Sequence, residues 1–139
     1  MVCAIAAGLT FPLAAPAAAA PSGIRATCTL HGKNPELSQT KVQVKSSGSQ
    51  LCSGNFAKHR VEVSIQKWNK TKKKWETKAT ESDSAVRPDD TVSTPVRWTC
   101  AGTGTQKYRV TIKGTFTDTK GKHFSAHDES NAKELTCRD

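Results

Sequence analysis

The sequence predicts an all-β protein, an antiparallel β-sandwich of about seven strands closed by two disulfides. Three observations predict it. Apolar residues recur at every second position, and no segment holds them at helical spacing for three turns. Turn-forming residues separate these runs at hairpin-like intervals. Four widely spaced cysteines follow an apolar leader.

The leader comes first. From Met1 to Ala20 an apolar stretch through Ile5, Leu9, Phe11 and Leu13 dissolves into an alanine run ending at Pro21, the small-residue pattern that a signal peptidase reads. Proline directly after a cut is disfavoured, so cleavage is placed after Ala19, giving a signal peptide over 1–19 and one domain over 20–139. No Lys or Arg precedes the apolar run, which points to a start codon further upstream or to a truncated sequence. The run is shorter than the roughly 20 apolar residues that span a bilayer. The expectation is therefore a secreted, extracellular protein without a transmembrane segment. Cys3 leaves with the signal, and its context is not that of a lipid-attachment cysteine.

In the mature part, Val42 and Val44 alternate with Lys41, Gln43 and Lys45. Val61, Val63 and Ile65 alternate with Glu62, Ser64 and Gln66. Val92, Val96, Trp98 and Cys100 share one parity against Ser93, Arg97 and Thr99. The clearest strand carries Tyr108, Val110, Ile112, Gly114 and Phe116 on one face and Lys107, Arg109, Thr111, Lys113 and Thr115 on the other. Phe124 and Ala126 open a last region that closes at Leu135 and Cys137. Such alternation describes sheets with one buried and one wet face, and it places Trp98, Tyr108, Val110 and Ile112 at the centre of the core. Gly48, Gly54, Asn69, Pro88-Asp89-Asp90, Gly102, Gly104 and Lys120-Gly121 are read as turns.

Cys28, Cys52, Cys100 and Cys137 form no close Cys-x-x-Cys pair, so bridges rank above a zinc site in an exported chain. Four cysteines admit three connectivities. Cys28 with Cys52 and Cys100 with Cys137 is favoured, because each pair then joins neighbouring predicted strands.

With 139 residues, 35% of them hydrophobic and 24% charged, the chain has room for one domain. Catalytic chemistry finds no foothold in it. No serine sits in a nucleophile elbow. His123 and His127, four apart on a strand, stand about 13 Å from each other, too far to share an ion. His31 and His59 have no ligand-spaced partner. Asp89-Asp90 and Asp128-Glu129 read as turn or opposite-face pairs. Gly102-Thr-Gly104 lacks the lysine and helix of a phosphate loop and reads as a hairpin tip. The expectation is a protein that is no enzyme and needs no cofactor or metal.

Net charge is +9, from 21 Lys and Arg against 12 Asp and Glu. Its sharpest concentration is Asn69-Lys-Thr-Lys-Lys-Lys74, between Trp68 and Trp75. Such a run reads first as a solvated hairpin whose tryptophans pack across the strands while lysines keep the edge soluble. It also defines a candidate binding patch: Lys70, Lys72, Lys73 and Lys74, joined by Lys107, Arg109 and Lys113, for an anionic cell-surface polymer. Nucleic acid is not expected, since no nucleic-acid motif or row of stacking aromatics is present. The Ser46 to Ser53 segment beside Cys52 is the one candidate for an exposed, disulfide-braced inhibitor loop.

The tract VEVSIQKWNKTKKKW over 61–75, Trp-Thr-Cys at 98–100, Tyr-Arg-Val at 108–110 and the closing Leu-Thr-Cys at 135–137 resemble small exported immunoglobulin-like proteins of actinobacteria. One group of these is similar to the adaptor subunit of the umbrella-shaped secreted toxin particles of filamentous actinobacteria. The resemblance implies an immunoglobulin-like sandwich without catalytic residues, serving as an adaptor or subunit whose partner is another secreted protein. The alternative drawn from the residues is a secreted cationic effector, an antimicrobial or inhibitor protein, acting through the basic hairpin.

Overall fold

The computed structural model describes residues 4–5, 10–12 and 25–139. The expected signal cleavage after Ala19, and Cys3, lie outside the described residues. Two pieces of the expected signal segment lie inside as backbone strands, β1 (Ala4–Ile5) and β2 (Thr10–Pro12). Nine further strands follow: β3 (Thr27–Lys33), β4 (Glu36–Leu37), β5 (Gln43–Ser53), β6 (Phe56–Asn69), β7 (Lys74–Val86), β8 (Thr91–Thr99), β9 (Gly104–Asp118), β10 (His123–Glu129) and β11 (Lys133–Cys137). No helix occurs among the described residues.

The strands form two antiparallel sheets packed as a sandwich. In the first, β5 is central, with β8 on one side and β3, continued by β4, on the other; β1 and β2 lie along the far edge of β3. In the second, β9 and β6 are central, β7 forms one edge, and β10 and β11 pair end to end along the other side of β9. Nine strands stand where about seven were expected, because two ribbons are interrupted, at Asn34-Pro35 and at Ser130–Ala132.

Alternation decides which side chains meet between the sheets. Val61, Val63 and Ile65 of β6 are fully buried, as are Tyr108, Val110 and Ile112 of β9, and Val92, Val96 and Cys100 face them from β8 and its end. Each buried Val or Ile contributes about 1.5–3 kcal/mol of hydrophobic stabilisation. Burial pushes the Tyr108 phenol above its ordinary pKa, against a smaller opposing pull from its hydrogen bond with Thr103. Trp98 departs from the expectation. It is only partly buried and packs at the margin of the core, its ring 6.2 Å from that of Tyr108, since β8 is an edge strand.

Both disulfides have the favoured pairing. Cys28–Cys52 joins direct neighbours within one sheet, β3 and β5. Cys100–Cys137 does not join neighbouring strands. It ties the end of β8, in the first sheet, to β11, in the second. For the same reason Gly102-Thr-Gly104 is a corner between sheets and not a hairpin tip.

Gly48 is no turn either. It lies within β5, where a Cβ would stand 2.6 Å from Val63 Cγ2, so it marks a close approach of the two sheets. The Ser46 to Ser53 segment is accordingly central strand and not an exposed loop.

Gln50 and His59 form a buried polar pair in this core, at 0% and 2% exposure. The Gln50 Nε2 amide of β5 crosses between the sheets, donating to His59 Nδ1 at 3.1 Å and to the Thr115 carbonyl at 3.2 Å, with a longer contact to the Arg60 carbonyl at 3.4 Å. His59 Nε2 donates to the Asp89 carbonyl at 3.0 Å, which leaves Nδ1 free to accept. Space for the amide comes from Gly114, where a Cβ would collide with Gln50 Oε1 and come within 2.7 Å of Leu30 Cδ2.

Gly114→Ala should therefore destabilise by about 1–3 kcal/mol. Combined with Gln50→Ala, it should show a coupling above about 0.5 kcal/mol in urea denaturation; strictly additive changes would place Gln50 elsewhere. In the same assay Tyr108→Ala should cost about 3–5 kcal/mol and the marginal Trp98→Ala clearly less.

Candidate functional site

Three features of the surface carry charge or open backbone: the basic hairpin, a cleft on the outer face of the second sheet, and the sheet edges. The hairpin joins β6 to β7. Asn69 Oδ1 accepts from the Thr71 and Lys72 amides at 3.0 and 2.9 Å, a side-chain turn that starts the reversal, and Lys73 takes a positive φ of 52° to complete it. Trp68 and Trp75 are direct cross-strand partners in edge-to-face contact, centroids 5.3 Å apart. Lys70, Lys72, Lys73 and Lys74 are exposed at the tip.

The other three cations of the expected patch do not gather there. Arg109 stacks over the Trp75 ring at 4.5 Å, donates from Nε to Gln66 Oε1 at 2.7 Å and pairs with Glu129 at 3.1 Å. Its charge serves the sheet face. Lys107 lies opposite Glu134 of β11. Lys113 lies opposite Glu62 and His127, four residues further along β9 and about 13 Å from Arg109.

Lys113 instead lines a cleft of about 950 Å³ formed by β6, β7, β9 and β10. Lys58, Arg60 and His123 line it as well, with the hydroxyl-bearing Ser84, Thr115 and Ser125. Sequence reasoning missed this grouping, because its members sit on four strands and none belongs to a charge run. The parity of Arg60 with Glu62, and of Lys113 with Thr115, was the available signal. Elsewhere the histidines stay apart: His123 Nδ1 bonds Thr117 Oγ1 at 2.9 Å, and His127 is exposed at the other end of β10. Among the described residues no three His, Cys, Asp or Glu side chains converge on one point.

The sheet edges differ in how they are protected. On β8 the Ser93 amide donates to Asp83 Oδ2 of β7 at 3.1 Å, and Pro95, of the same parity, has no amide to offer. Glu76, Lys78, Glu81 and Asp83 mark β7; His127, Asp128 and Glu129 mark β10. These are the usual guards against strand addition. β3 is guarded more lightly: Thr-Cys-Thr-Leu-His-Gly-Lys carries the exposed His31 and Lys33 at one end but contains no proline and no acid. Its backbone is also oriented outward in a defined way. Cys28 and Cys52 lie opposite each other with Cα atoms 4.1 Å apart, the spacing of a pair that exchanges no ladder hydrogen bonds. The Cys52 amide points away from β3, to the Asp90 carbonyl at 2.8 Å. By alternation, Cys28, Leu30 and Gly32 turn their N–H and C=O groups to the outer edge. There β1 lies opposite Gly32 and Lys33, and β2 opposite Thr27, Cys28 and Thr29.

The chain is thus a two-sheet, disulfide-bonded all-β protein of sandwich form. No protein-family model matches its sequence, and no curated protein matches it.

At the hairpin, a hydrogen bond from Asn69, followed by the charges of Lys78 and Lys72, holds the Glu76 carboxyl below its ordinary pKa, against a smaller opposing effect of burial. A depressed carboxyl favours the fold above the ordinary carboxylate pKa and loses that contribution as pH falls through the lower folded value. NMR titration should find Glu76 below the usual glutamate range, and Asn69→Ala should raise it; an unchanged midpoint would remove Asn69 from the turn's electrostatics.

Proposed function

We propose that this protein is a secreted, non-catalytic interaction module of immunoglobulin-like form, an adaptor or subunit of an extracellular complex, and that it receives an extended strand of its partner protein along β3. The immunoglobulin-like reading rests on strand order. With the interrupted ribbons each taken as one strand, β3/β4–β5–β8 faces β10/β11–β9–β6–β7, three ribbons on four. Two disulfides fit an oxidising, extracellular setting, and no helix among the described residues is long and apolar enough to cross a membrane.

The observation that carries the proposal is the edge of β3. It is an edge without proline or acid, it is tied to β5 by Cys28–Cys52, and the chain's own N-terminal segments lie along it. Removal of residues 1–19 on export uncovers it. A partner strand then takes the place of β1 and β2, main-chain hydrogen bonds giving affinity and alternate side chains giving register. The basic hairpin is solvated surface in this account.

The test uses the oxidised chain starting at Ala20, which retains both sheets and both disulfides, beside the chain starting at Met1. A synthetic peptide of residues 4–12 should bind the shorter chain and not the longer, as read by fluorescence anisotropy. Changing Lys70, Lys72, Lys73 and Lys74 to Gln should leave that binding intact. Equal binding by both chains, or its loss in the lysine variant, would reject the β3 edge in favour of the charge-guided effector reading.

A further inference from the structure

The cleft on the outer face of the second sheet is independent of the β3 edge, and its chemistry is of another kind. Lys58 and Arg60 come from β6, Lys113 from β9 and His123 from β10, whereas Asp89 is the one carboxylate among its lining residues. Arg60 is partly balanced by Glu62 at 3.6 Å, with about half of its side chain exposed. Between the cations stand the hydroxyls of Ser84, Thr115 and Ser125, each able to donate and accept. Val86, 64% exposed, adds an apolar wall. A volume of about 950 Å³ admits several sugar-sized units. The floor is fixed in advance, because the buried Gln50 amide donates to the Thr115 carbonyl and contacts that of Arg60 from behind, so little ordering is left for binding to cost.

From this combination we infer that the cleft binds an anionic oligosaccharide: a sugar or polyol chain whose hydroxyls meet the Ser and Thr side chains, whose C–H face covers Val86, and whose phosphate or carboxylate groups meet Lys58, Arg60 and Lys113. The Lys70–Lys74 side chains stand exposed at a hairpin tip with Thr71 as their one hydroxyl, so binding belongs to the cleft and not to the sequence's most basic run.

Titration calorimetry on the oxidised chain, at about 50 mM salt, tests this with four probes: a poly(glycerol phosphate) oligomer, an oligogalacturonate, maltohexaose and inorganic phosphate. At least one anionic oligomer should bind, more tightly than either maltohexaose or inorganic phosphate, and which one identifies the anionic group. Lys58→Gln with Lys113→Gln should weaken it tenfold or more at an unchanged melting temperature, whereas the four hairpin Lys→Gln changes should alter it less than threefold. Amide shifts on binding should centre on Thr115 and Ser125. No binding by either anionic oligomer, inorganic phosphate binding as tightly as the oligomer, maltohexaose binding as tightly as the oligomer, or the larger loss in the hairpin variant would each overturn the assignment.

Discussion

The amide of Gln50 is the point on which the packing of the two sheets turns. Its Nε2 is a donor at full burial, and an unsatisfied buried donor costs about 1–3 kcal/mol, so the surrounding residues are constrained to satisfy it, whereas Oε1 has no hydrogen-bond partner among the described residues. His59 presents an acceptor nitrogen because its other nitrogen donates to Asp89, the Thr115 carbonyl accepts from the second sheet, and Gly114 leaves the room. Gly48, two residues earlier on the same face of β5, lets Val63 and Ile112 close over the neighbouring space. A polar tie flanked by two glycines sets both the separation and the register of the sheets in a way that an apolar contact, tolerant of sliding, does not. Cys100–Cys137 then fastens the far end across the sheets, and Cys28–Cys52 fixes β3 to β5 within one.

These ties divide the molecule by role. Where the sheets are locked, the outer surface is a stable platform: Arg109 stacks on Trp75, Ser64 bonds Thr80, Gln66 bonds Thr77, and the cleft walls stand on strands whose register is set from beneath. Edges are where a sandwich remains reactive, and this one guards them unequally. β8 is closed by Pro95 and the Asp83 carboxylate, and β7 and β10 by charge, while β3 presents outward-turned backbone groups from a segment without acid or proline. In the chain starting at Met1 that edge is covered by the two short strands β1 and β2. The same backbone chemistry that makes an open edge prone to aggregation is what the proposed docking of a partner strand uses.

What was legible in the sequence follows from period-two alternation. The buried faces of β6, β8 and β9 could be read directly, as could the tryptophan-paired hairpin, because each is a local pattern; the disulfide pairing was favoured on strand neighbourhood, a reason that holds for Cys28–Cys52 and not for Cys100–Cys137. Gly48 was misread for a physical reason: a glycine that permits close approach and one that permits a turn look alike until the facing sheet is known. Gln50 shares the parity of Val44 and Cys52, and His59 that of Val61, so their burial was implied; but a polar residue on a buried face declares nothing about the partner that satisfies it. Trp98 kept the expected parity and lost the expected burial, since β8 lies at an edge. The cleft was illegible because its cations converge only through the pairing of β10, β9, β6 and β7. The pairing of β3 with the leader is likewise a long-range contact that carries no pattern of its own.

The central proposal, that removal of residues 1–19 leaves β3 as an open, strand-accepting edge, is tested most directly by amide hydrogen exchange on the oxidised chain starting at Ala20. Thr29 and His31 donate inward to β5, whereas Leu30 and Gly32 donate outward. The account predicts that the Leu30 and Gly32 amides exchange far faster than those of Thr29 and His31, and that Gly32, which lies opposite Ile5 of β1, becomes protected in the chain starting at Met1. Equal, strong protection of all four amides in the shorter chain would contradict it, because the edge would then be closed by the domain itself.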